Sequence, residues 1–317
     1  MSTADAVESA PEVSLLQGKA RSQSLWGSGY KALYRSVSRL PKNDYLDRPV
    51  FVVACGRSGS TALCSALGKH SRLLMAASEG PNVSSIGHLA YDYAFSRHSE
   101  YFQNAVQLPL PAYREVLRTL VYQSLFGTDY GYSYHPYRMR EKNSVYLSAR
   151  RLGCWGGKVF PDEQAATGLA WLFPRVKYVY LFRNGIDVVE SMSKFGAFSE
   201  LTFEQRCAFW SRHIMRYDFL RTHEDAISIR FEEFLFNAAG VLTSVFQHLG
   251  LDYQGAPIEF ATSTLVHSRS ESTKKVNPRE VLMARAESSS SWTDQQKSAF
   301  ETHCAAAMKL LGYPIPF

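Results

Sequence analysis

Phe51-Val-Val-Ala54 runs directly into Cys55-Gly-Arg-Ser-Gly-Ser-Thr61, and a helical pattern follows to Gly68. A short continuous apolar run bounded by turn residues is the mark of a strand buried on both faces, as in a parallel sheet. Gly56 and Gly59 suit a tight turn, and Ser60 and Thr61 open the helix. Strand, tight loop and helix together form the repeating unit of a wound α/β sheet.

Outward from this unit, 73–76, 178–182 and 226–230 read as further strands. Helical patterns occupy 187–194, 203–220 and 233–249. Alternating elements predict an α/β fold, a doubly wound parallel sheet whose ligands sit at the carboxyl ends of the strands. Residues 82–150, which include Tyr91, Tyr93, Tyr101, Tyr113, Tyr122, Tyr130, Tyr132, Tyr134 and Tyr137, do not read as sheet. They are expected to form a helical, aromatic-rich cap over the acceptor side, each tyrosine taken singly being ordinary core of that subdomain. Residues 1–48 read as a tail followed by a basic amphipathic helix over 24–40, with Trp26, Tyr30, Leu33, Tyr34 and Val37 on one face. The main domain is then 49–317, with 262–292 as a basic lid loop.

The 317 residues, 45% hydrophobic and 20% charged, are enough for one sizeable core and exclude disorder along the length. No apolar run approaches the roughly 20 residues of a membrane helix. The start MSTADAVESAPEV has neither a basic nor an apolar signal region, so a cytoplasmic protein is expected. Five scattered cysteines without a Cys-x-x-Cys suggest neither a disulfide framework nor a metal site. The net charge of +6 suits an anionic small ligand, and with no long basic run or zinc finger nucleic acid is not expected as a partner.

Gly56-Arg57-Ser58-Gly59-Ser60-Thr61 offers backbone N–H groups, a helix N-terminus, hydroxyls and a guanidinium, the parts of a phosphate or sulfate cradle. A nucleotide kinase would carry a lysine before the hydroxyls, where Gly59 stands, so ATP with magnesium is disfavoured. Arg183-Asn-Gly-Ile-Asp187 follows an apolar strand and begins a helix bearing Ser191 one turn beyond Asp187, so an arginine fork and a hydroxyl make a second anion site. Two such sites on one sheet edge describe a nucleotide with a 5′-phosphosulfate and a separate 3′-phosphate.

Val52-Val-Ala-Cys-Gly-Arg-Ser-Gly-Ser-Thr61 resembles the 5′-phosphosulfate loop of sulfotransferases, and Phe182-Arg-Asn-Gly-Ile-Asp-Val-Val-Glu-Ser191 resembles their 3′-phosphate motif. Arg230-Phe-Glu-Glu-Phe-Leu235, Trp155-Gly-Gly-Lys158 and Arg269-Ser-Glu-Ser-Thr-Lys-Lys-Val-Asn277 are similar to later segments, nearest to the bacterial and tyrosylprotein branches. The likeness runs from about Pro49 to Tyr313 and is weakest over 85–150. It implies 3′-phosphoadenosine 5′-phosphosulfate as co-substrate, adenosine 3′,5′-bisphosphate as product, and no metal.

Residue by residue, the resemblance assigns Arg57 to the bridging and leaving oxygens, and Ser60 and Thr61 with the loop N–H groups to the 5′-phosphate. Arg183 and Ser191 fall to the 3′-phosphate, and Lys274 or Lys275 of the basic loop to phosphate. Lys158 would neutralise charge on the transferring group, Gly156 and Gly157 suiting close backbone approach beside it. Glu79, just past the second strand, is the best general base, supported by the resemblance and by nearby cations; Asp162 and His88 are weaker candidates. The expected partner is a small-molecule acceptor with a hydroxyl or an amine. A phosphotransferase and a non-catalytic sulfonucleotide-binding module are the rival readings, and oligomeric state is unreadable.

Overall fold

The computed structural model describes residues 47–80, 82–106, 110–126, 153–263, 265–266, 271–272 and 289–317. The expected helix over 24–40, the cluster Tyr130 to Tyr137, and Lys274 and Lys275 lie outside these residues.

Strand β1 (Pro49–Ala54) leads into helix α1 (Ser60–Leu67) and then β2 (Leu73–Glu79). Three helices follow, α2 (Val83–Ala94), α3 (Ser99–Val106) and α4 (Leu110–Phe126). The chain continues through β3 (Cys154–Lys158), α5 (Glu163–Leu172), β4 (Lys177–Phe182), α6 (Gly185–Ser193) and α7 (Phe203–Tyr217). Then come β5 (Ala226–Arg230), α8 (Phe231–Phe236), α9 (Ala238–Leu249), α10 (Gly255–Ser263), the short pair β6 (Leu265–Val266) and β7 (Glu271–Ser272), and α11 (Asp294–Leu311). The five longer strands form one parallel sheet in the order β2-β3-β1-β4-β5. Parallel pairing requires crossovers, and the helices between the strands supply them. Among the described residues no helix is long and apolar enough to cross a membrane.

Alternation along β1 sorts the two faces of the sheet. Phe51, Val53 and Cys55 point into one apolar cluster with α4, α5, α7 and α11, while Val50, Val52 and Ala54 point into another with α1 and α9. Every residue of β1 is buried, which is why its sequence is an unbroken apolar run. β1 lies between β3 and β4, so the loops after β1 and β4 emerge beside each other.

Three expectations about local structure need correction. The strand at 73–76 extends to Glu79, because a register shift between Met75 and Glu79 keeps it paired with β3. The segment 203–220 leaves the α-helix at Tyr217 and ends in a 3₁₀ turn, Asp218–Arg221. The segment 233–249 is two helices broken at Asn237, whose side chain accepts from the Gly240 N–H and starts α9. Among α2, α3 and α4, Tyr93 and Tyr113 are buried with ring centroids 4.2 Å apart, whereas Tyr101 is exposed.

Candidate functional site

The loop after β1 is held in an uncommon conformation. Arg57 has φ +69°, a left-handed value that costs a non-glycine residue about 1–2 kcal/mol. Gly59 follows at φ +94°, and a Cβ built there would come within 2.2 Å of the Phe231 ring. Only glycine therefore fits at that turn. The Ser58 N–H donates to the Cys55 carbonyl at 3.2 Å and closes the loop. Gly59 caps α1 without a side chain, so the first-turn N–H groups are left to whatever the loop encloses. The Ser58 hydroxyl is fully buried with no hydrogen-bond partner among the described residues, which fits a loop shaped to take a polar ligand. Cys55 is no nucleophile, since burial pushes its thiol far above the usual range.

Two guanidiniums meet above this loop. Arg57 Nε donates to Ser191 Oγ at 3.1 Å, and its guanidinium carbon sits 4.3 Å from the Phe195 ring centroid. Arg183 Nη1 donates to the Arg57 carbonyl at 3.4 Å, its Nε donates to Asp187 Oδ2 at 3.3 Å, and it lies 4.7 Å over the Phe231 ring. Burial, and secondly the charge of Arg183, hold Arg57 below the usual guanidinium range. Asp187 offsets part of the charge at Arg183, and the two neighbouring guanidiniums leave this end of the loop locally positive.

On the other side of the loop, Lys158 closes β3 and is 7% exposed. Its Nζ donates to Glu79 Oε1 at 3.2 Å and to Thr61 Oγ1 at 3.4 Å. β3 approaches β1 so closely that a Cβ on Gly156 would lie 1.7 Å from the Val50 carbonyl oxygen. Those contacts run from Glu79 through Lys158 to Thr61, and along the loop to Arg57, Ser191 and Arg183. Six residues singled out in the sequence thus share one strip of the carboxyl edge, together with Gly56, Ser58, Gly59 and Ser60 of the loop.

Asp162 and His88 stand apart from that network. Asp162 caps α5 by accepting from the Ala165 N–H at 3.0 Å, and it pairs with His88 at 3.2 Å and Arg216 at 3.4 Å. Lys274 and Lys275 lie outside the described residues. A groove of about 800 Å³ along the edge strand β5, lined by Ile227, Arg230, Phe236 and Asn237 among others, contains none of the clustered residues.

Sequence reasoning missed the aromatic seats of the cations, Phe195 and Phe231, and the Phe198 ring that packs against Gly56. It also missed the carboxylate of Glu232, which accepts from the Asn184 N–H at 3.2 Å and from the Tyr313 hydroxyl at 2.5 Å. Arg230-Phe-Glu-Glu was visible as a motif, but nothing in its spacing assigned its members these tasks.

The molecule is an α/β protein whose parallel sheet gathers two arginines, a lysine and a glycine-bearing loop at the carboxyl ends of its strands, the groups an oxyanion site is made from. A family model described as "Sulfotransferase family" matches residues 49–255, and the chain belongs to that family: it is a sulfotransferase. The sulfotransferase domain of the Synechococcus PCC 7002 olefin synthase has the same fold, at 19% identity over 87% of this chain and 98% of its own, with a TM-score of 0.51. The mouse sulfotransferase SULT7A1, solved complexed with PAP, is 14% identical over 86% of this chain and 88% of its own, at a TM-score of 0.46. No curated protein sequence matches the chain.

Proposed function

We propose that the chain transfers the sulfuryl group of 3′-phosphoadenosine 5′-phosphosulfate to a hydroxyl or amine of a small-molecule acceptor, with Glu79 as general base. The observation that carries this reading is the direct contact between the loop after β1 and the element after β4, Arg57 Nε to Ser191 Oγ and Arg183 Nη1 to the Arg57 carbonyl. One nucleotide with phosphates at both ends can span sites that touch.

Loop N–H groups, Ser60 and Thr61 bind the 5′-phosphate, while Arg183 and Ser191 bind the 3′-phosphate. Arg57, between the two, stabilises the leaving phosphate. Glu79 accepts the proton of the acceptor as its oxygen or nitrogen forms a bond to sulfur. The bond from sulfur to the phosphate oxygen breaks in line, and its electron pair stays on the departing adenosine 3′,5′-bisphosphate. Lys158 lies between Glu79 and the loop, where it offsets the charge that grows on the leaving oxygen and the sulfonate. Lys274 and Lys275 would add to the phosphate charge balance from the basic loop.

The test is an acceptor screen with isotopically labelled donor, product identity read by mass. Transfer of one sulfonate to an alcohol, phenol or amine is expected. Glu79→Gln should lower kcat about 100-fold while the dissociation constant for the bisphosphate stays within about twofold. A chain that binds the bisphosphate but transfers nothing to any acceptor, with Glu79→Gln indistinguishable from the parent, would instead be a binding module.

A further inference from the structure

Glu190 immediately precedes Ser191 on α6, so a carboxylate sits next in sequence to a hydroxyl assigned to a phosphate. Such a charge beside a phosphate site opposes the ligand, unless something holds it. Trp292 holds it: the indole Nε1–H donates to Glu190 Oε1 at 2.6 Å. The indole is itself fixed, 5% exposed and packed against Phe203, Phe300 and Phe317 at centroid distances of 4.9, 5.2 and 5.7 Å. One indole N–H bond thereby ties this four-ring cluster to α6 at Glu190, while Arg57 meets Ser191 on the next residue. On the same helix Asp187 is paired with Arg183, which leaves Glu190 as the acidic group whose orientation the tryptophan decides.

We infer that Trp292 is a positioning residue for the nucleotide: its N–H ties down the Glu190 carboxylate and keeps that charge off the 3′-phosphate site. This inference rests on the donor reading of the site given above. The residue touches neither donor nor acceptor, so it acts through Glu190 and α6.

The experiment is calorimetric titration of the full chain with adenosine 3′,5′-bisphosphate and, separately, adenosine 5′-monophosphate. Trp292→Phe keeps the ring packing and removes the donor, so the bisphosphate should bind about tenfold more weakly, equivalent to about 1.4 kcal/mol, with the monophosphate unchanged. Glu190→Gln in the same chain should restore the bisphosphate to within about twofold of the parent, because the freed charge is gone. If Trp292→Phe fails to fold, Glu190→Asp carries the test, since the shorter carboxylate leaves the indole while keeping its charge and should show the same selective loss. Parental affinity in these variants, or a double variant no better than Trp292→Phe alone, overturns the inference and leaves the donor site standing. Failure of the parent chain to bind the bisphosphate overturns both.

Discussion

On the β1–β4 half of the sheet edge the cations are seated on rings and tied by hydrogen bonds, Arg57 over Phe195 and bonded to the Ser191 hydroxyl, Arg183 over Phe231 and bonded to the Arg57 carbonyl. On the β2–β3 half a single ion pair spans the edge, with Lys158 almost buried but the Glu79 side chain 57% exposed. The first half is preorganised, each charged group having a partner that limits its rotamers. The second is open, its carboxylate fixed at one end and facing solvent at the other. A nucleotide of constant shape suits a rigid cradle, whereas an acceptor must approach, give up a proton and leave as a larger product. On the proposed assignment of the two halves, the contrast puts rigidity at the donor and freedom at the acceptor.

The sharpest way to break this comparison is Lys158→Ala, which removes a cation belonging to both halves through Thr61 and Glu79. The turnover number should fall about 1000-fold, the scale for losing a preorganised charge stabiliser, and steady-state kinetics at saturating donor checks it. Next, Arg183→Ala should weaken adenosine 3′,5′-bisphosphate about 100-fold by titration, with kcat at saturating donor reduced far less. An equal loss in both parameters would mean that the donor half also takes part in the chemistry, and the division would fail.

Gly59→Ala sharpens the point about rigidity. A methyl group at φ +94°, within 2.2 Å of the Phe231 ring, should destabilise the fold by about 2–4 kcal/mol, read from the denaturation midpoint. The smallest effect concerns the aromatic layer on the α7 side. Burial holds His213 below the usual imidazole range; its Nδ1–H bond to the Phe209 carbonyl at 2.8 Å pulls upward as the next largest influence, and the charges of Arg216 and Arg212 add smaller downward ones. The unfolded chain therefore takes up this proton first. Stability is full above about pH 6.5 and declines as pH falls from there toward the folded value, so a slightly lower thermal midpoint at pH 5.5 than at pH 7.5 is expected, and His213→Phe should flatten that slope.

Much of this was legible in the chain itself. The unbroken apolar run of β1 announces a strand buried on both faces, and Gly56 to Thr61 announces the tight loop that opens α1, because both follow from local rules of burial and backbone freedom. The helix break at Asn237 was missed, since an asparagine inside an apolar pattern reads as a surface position until its side chain is seen capping the next helix. Phe195, Phe231 and Trp292 were likewise silent, because an aromatic residue in a helix or loop carries no sign of which cation or carboxylate it will meet.

The sequence alone determined the wound parallel sheet and the types of groups on its edge, since periodicity and turn chemistry act over a few residues. Only the tertiary structure decided that Glu79 faces Lys158, through a register shift in β2, and that Arg57 reaches Ser191 across 134 positions of chain. Such contacts depend on strand order and on the packing between layers, quantities that no short stretch of residues encodes.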